Sequence, residues 1–153
     1  MDLAMVITRW LAGPIARFLD ADGETPQERR AEVIEFAGLP GDDRDDLGLR
    51  HVTRGSAWFI FCGVVFVVTM AVAVLVSLVA DDRAADLAFE IAGWLIFFPL
   101  FMAFVHFAKM LVVRYAPERW SDRKSRLWRV AMLAQTPEYL IAALLTAASA
   151  LWW

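Results

Sequence analysis

Within the apolar stretches of this 153-residue chain, three titratable side chains stand where hydrocarbon would surround them: His106, Lys109 and Glu138. His106 lies eight residues before Arg114, and Glu138 nine residues after Arg129. In antiparallel helices both then fall roughly 12–14 Å in from one boundary, at ~1.5 Å of rise per residue. Lys109 follows His106 by three residues and so shares its helical face, one turn shallower. Gln135 and Tyr139 lie close to the same level. A charge at that depth costs at least ~2–3 kcal/mol unless it is paired or hydrated, so these groups should turn toward protein or water. An imidazole, an ammonium and a carboxylate placed together could relay protons or ions, or be a polar contact read by a partner. The simpler account is an ion pair that fixes helix register, with Lys109 snorkelling toward the headgroups.

Other candidate chemistry is weaker. Asp42-Asp43-Arg44-Asp45-Asp46 fits the Asp-Asp-x-x-Asp pattern with which prenyl-diphosphate enzymes hold magnesium, since carboxylates at that spacing can grip a hard cation. It lies between Gly41 and Gly48 with no second acidic motif facing it, so Asp42, Asp43 and Asp46 are marginal metal ligands and a solvated linker is the plainer reading. A similar group, Asp81-Asp82-Arg83-Ala84-Ala85-Asp86, is expected on the other side of the membrane. No EF-hand loop, P-loop, dinucleotide fingerprint or zinc spacing occurs. Neither a cofactor nor a catalytic residue is expected. The single Cys62 cannot form a disulfide within the chain, and an apolar setting would keep its thiol inert.

What must position these residues is a set of membrane helices. Hydrophobic residues make up 59% of the chain and charged ones 22%, against about 45–50% apolar in a typical soluble domain. The excess is gathered into three runs, at about 57–80, 87–113 and 130–153. The first has 24 residues, enough for roughly 36 Å against a ~30 Å hydrocarbon layer. The second contains Glu90, Pro99, His106 and Lys109, and Pro99 should bend it or serve as a hinge. The third carries Gln135, Thr136, Pro137 and Glu138 in its first half, and its uninterrupted part, Tyr139–Trp153, is too short to span alone. It reads as a kinked span, with a re-entrant or interfacial segment as the lesser alternative. Lipid offers backbone groups no partner, so all three should be helices. In the third, Ala142, Thr146, Ser149 and Ala150, with Ala143 and Ala147, form a small-residue side suited to close packing.

Orientation follows from the cations. Residues 1–56 hold seven Lys or Arg, the 81–86 connection one, and the loop 114–129 six. The positive-inside rule then places the N-terminus and the second loop in the cytoplasm and the C-terminus, with Trp152 and Trp153, outside. Asp2 stands where a signal peptide would need basic residues, so none is expected. The absence of an organelle signal is compatible with a bacterial inner membrane.

The front end, 1–56, should form a cytoplasmic and interfacial region. Residues 3–19 place Leu3, Val6, Ile7, Trp10, Leu11, Ile15 and Phe18 at helical spacing opposite a narrow charged strip. That pattern fits an amphipathic helix in the headgroup region or one packed on the protein's own spans, and Pro14 should kink or divide it. Thr25-Pro26-Gln27-Glu28 reads as a capped start of a short cytoplasmic helix, 26–37, ending at Gly38. Asp20–Asp46 carries ten acidic and three basic residues, net −7, whereas Arg114–Arg129 is net +4. In that basic loop Arg119, Arg123, Lys124, Arg126 and Arg129, with Trp120 and Trp128, suit anionic lipid.

The fold class is therefore an all-α integral membrane protein whose three-helix part, 57–153, follows the cytoplasmic front end. With pI about 5.3 and no basic footprint, nucleic acid is not an expected partner. Membrane lipids and other membrane subunits, or further copies of the chain, are. An accessory or assembly subunit, or a homo-oligomer, fits best, because the aromatic second span (Phe89, Trp94, Phe97, Phe98, Phe101, Phe104, Phe107) offers more surface than two neighbours can cover. A channel or proton-coupled carrier using His106 and Glu138 comes second. A membrane enzyme acting on a lipid or polyprenyl diphosphate comes last.

Overall fold

In the computed structural model, residues 2–40, 43–115 and 131–150 are described, and among them every regular element is a helix. Asp2 begins the first, α1 (Leu3–Phe18), by accepting the Met5 N–H at 3.2 Å. Seven side chains of α1, from Ala4 to Ala16, are buried, while Leu3, Val6, Trp10 and Phe18 face outward. Pro14 does not divide it, because that packing outweighs the ~3 kcal/mol cost of an interior proline. The chain turns at Asp20 with a positive φ of 52°, a conformation Asp tolerates better than most residues. Next, α2 (Pro26–Gly38) starts with both halves of its capping box formed between Thr25 and Glu28.

Helix α3 (Arg44–Val79) is 36 residues long and starts thirteen residues before the apolar run at 57. Asp43 is its N-cap, accepting the Asp46 N–H at 2.8 Å. The acidic stretch expected to be a linker is thus the start of a helix, where carboxylates complement the positive end of the dipole. Asp42 lies outside the described residues. A connection of two residues, shorter than the expected 81–86, leads into α4 (Asp82–Tyr115), with Asp81 accepting the Ala84 N–H at 2.9 Å. So short a link makes α3 and α4 an antiparallel pair, and theirs is the most extensive helix interface. Both are long and apolar enough to cross a membrane.

The expected run 130–153 appears as a helical stretch at 131–133, a break at Ala134–Gln135, and α5 (Thr136–Ala150). Fifteen residues in α5 reach only about 22 Å, so this helix does not cross a bilayer by itself. It packs on α4, and α1 and α2 pack on each other and on α3. One core joins Ile15 of α1, Val33 of α2, Trp58 of α3, Met102 of α4 and Ala142 of α5. The Trp58 ring meets Phe61 and Phe98 edge-on, at centroid distances of 5.9 and 6.0 Å. Pro99 lies buried inside α4.

Candidate functional site

The expanded α3 carries the polar side chains into that core. Leu47, His51, Arg54 and Trp58 recur at steps of four, three and four, which places them on one face, and all four are buried. On α4 the matching face runs Met102, His106, Lys109 and Val113. At the start of α5, Glu138 sits in the first turn, where a carboxylate is favoured, and is only 3% exposed.

Lys109 anchors the crossing between α4 and α5. Its Nζ donates to Glu138 Oε1 at 2.7 Å and to the Ala131 carbonyl at 3.0 Å, with longer contacts to the Met132 and Ala134 carbonyls. The helical stretch 131–133 leaves those carbonyls without helical partners, and an ammonium is the natural group to satisfy them. The other Glu138 oxygen, Oε2, faces His106 Nε2 at 3.7 Å. His106 Nδ1 in turn lies 3.3 Å from His51 Nδ1, so one ring donates and the other accepts. His51 and His106 are 1% and 0% exposed, and among the described residues the His106 Nε2 atom has no hydrogen-bond partner.

A second polar group ties the front end to this base. Arg54, 3% exposed, donates Nε to the Ala37 carbonyl at 2.9 Å and Nη2 to Asp2 Oδ2 at 2.8 Å. One turn earlier Arg50 donates to the Leu39 carbonyl at 2.7 Å. Both cations meet the negative end of α2. Asp2 also accepts the Gln135 amide at 2.7 Å, so one carboxylate links α1, α3 and the start of α5.

Of the residues singled out from sequence, His106, Lys109 and Glu138 come together. Gln135 does not join them, but bonds to Asp2 a turn away. On α5, Ala142 is buried and Thr146 and Ser149 are half-buried, with their hydroxyls bonded to carbonyls of their own helix. Ala143 and Ala147 are exposed, so the packed strip is narrower than the small-residue pattern implied. The side chain of Ala150, and the whole set Arg119, Trp120, Arg123, Lys124, Arg126, Trp128 and Arg129, lie outside the described residues. Asp43 and Asp46 belong to the α3 cap. Cys62 is buried, with its thiol 3.7 Å from the Ile96 carbonyl.

Sequence reasoning missed Asp2, Arg50, His51 and Arg54. Continuing the Trp58 face of the first span toward the N-terminus would have collected Arg54, His51 and Leu47. Comparison with protein families, with curated proteins and with solved structures finds no match to this chain.

Proposed function

We propose that this chain is a small multi-pass membrane protein that acts by interaction, as an accessory or assembly subunit of a larger complex or as a homo-oligomer. One observation carries the proposal: among the described residues, nothing covers the far half of the α3–α4 pair. Beyond Cys62, α3 buries Ala73 alone among its residues, and Val67, Val72, Leu75, Leu78 and Val79 are exposed. On the facing helix Leu87, Phe89, Ile91 and Leu95 are exposed too. A core helix of a soluble protein is covered on all sides, whereas this surface needs lipid or another apolar protein face.

In this proposal α5 and the residues flanking it complete a third crossing. The N-terminus and the basic loop are cytoplasmic, and the C-terminus lies outside. Helix α1 lies along the interface, with Leu3, Val6, Trp10 and Phe18 toward lipid, and the basic loop meets anionic headgroups. The mass of the intact assembly extracted in mild detergent tests the proposal. A fixed stoichiometry above one chain, with itself or with a larger membrane protein, is expected. A bare monomer under every mild condition overturns it.

A channel or carrier role is the second reading, favoured by the approach of His106, Lys109 and Glu138 to one another. It requires an ion flux in liposomes that Glu138→Gln abolishes.

A further inference from the structure

We propose that His51, His106 and Glu138 form a binding site for one divalent first-row transition-metal ion of the zinc or ferrous type. The three residues come from α3, α4 and α5, so folding alone brings them together. All three are buried. With one nitrogen from each ring and one carboxylate oxygen, the donor atoms lie within 4.8 Å of one another. Two imidazoles and a carboxylate are the donor set of many zinc and non-haem iron centres, which leave further positions for water or substrate.

The spacing of the rings supports this. Nitrogens bound at ~2.0–2.1 Å around a tetrahedral ion lie roughly 3.3–3.4 Å apart. The two Nδ1 atoms are 3.3 Å apart. In the metal-free protein a proton bridges them, so one ring carries it on Nδ1 and the other presents its lone pair. An ion entering between them needs both lone pairs, which is met when the first ring moves its proton to Nε2. Both rings stay neutral and no electron changes hands. The donor atoms of the three residues lie within 4.8 Å of one another, and a glutamate side chain can move to close the remaining gap.

Lys109 holds the Glu138 Oε1 atom and leaves Oε2 toward the rings. Its positive charge, with those of Arg50 and Arg54, opposes a cation. An ion bound here should therefore carry an anionic ligand such as hydroxide in an open position.

The test uses the full chain in mild detergent, purified through a tag that contains no histidine. After chelator treatment it is titrated with Zn²⁺ and with Co²⁺, and bound metal is measured by elemental mass spectrometry. One ion per chain is expected, with His51→Gln, His106→Gln and Glu138→Gln each weakening binding by about tenfold or more. Cys62→Ser should leave it unchanged. These are the chain's two histidines, so paramagnetically shifted imidazole protons in the Co²⁺ protein must come from them. That readout serves even where a variant fails to fold. Binding below a tenth of an equivalent, equal affinity in folded His→Gln variants, or no shifted imidazole signals overturns the site. Metal content does not depend on the mass of the assembly, so this proposal and the one on function fail separately.

Discussion

The two halves of α3 differ more than their shared helix suggests. Between Leu47 and Cys62 it buries nine residues, two of them His51 and Arg54, and from Gly63 to Val79 it buries Ala73 alone. The first half shares a core with α1, α2, α4 and α5, whereas among the described helices the second has α4 as its main neighbour. Polar groups concentrate where the protein can surround them with its own partners. Where it cannot, the helix is apolar on every side. The lesson is thermodynamic: a buried ion is tolerated only with its counter-charge and its hydrogen bonds in place, and only the base offers enough neighbours.

The contrast breaks most sharply at Arg54. Arg54→Ala removes a buried cation from Asp2 and from the Ala37 carbonyl together, and should cost about 3 kcal/mol or more. Thermal unfolding in detergent measures it, and protease access to the loop between α1 and α2 should rise. Arg54→Lys should recover part of the loss, since an ammonium cannot present the planar fork that reaches both acceptors.

Glycines give the next comparison. A Cβ on Gly55 would stand 3.0 Å from the Phe107 ring and 3.3 Å from the His106 Cβ, whereas one on Gly63 meets nothing within 4 Å. Gly55→Ala should cost about 1–3 kcal/mol by forcing α3 and α4 apart. Gly63→Ala should be neutral or stabilising by up to ~1 kcal/mol through helix propensity. Equal effects would erase the distinction between the halves.

The smallest folding effect belongs to the bare half. Leu75→Ala and Leu78→Ala should change monomer stability by no more than about 0.5 kcal/mol, because neither is packed within the chain. If a protein partner covers that face, the same changes should lower the mass of the detergent-extracted assembly.

Local chemistry was readable in the sequence wherever it governed the outcome. Thr25, Pro26 and Glu28 announced the start of α2, and the apolar runs announced the stretches of α3 and α4 long enough to span. What escaped was tertiary. Arg44, Arg50 and Arg54 look like a hydrated approach to a membrane helix, and nothing local reveals that Asp2, 52 residues away, neutralises Arg54. The depth argument brought His106, Lys109 and Glu138 to one level because antiparallel helices of known rise fix depth. It could not fix rotation, which is why Gln135 bonds to Asp2, and Ala143 and Ala147 face outward.

The central claim is that the ionisable groups buried among the apolar helices are turned toward one another, and the pair Lys109–Glu138 at 2.7 Å tests it most directly. A double-mutant cycle with Lys109→Met and Glu138→Gln, read by unfolding in detergent, isolates their interaction. A coupling of about 1 kcal/mol or more is expected, with the double variant more stable than the single losses sum to. Losses that add to within about 0.3–0.5 kcal/mol would show that the two side chains do not meet.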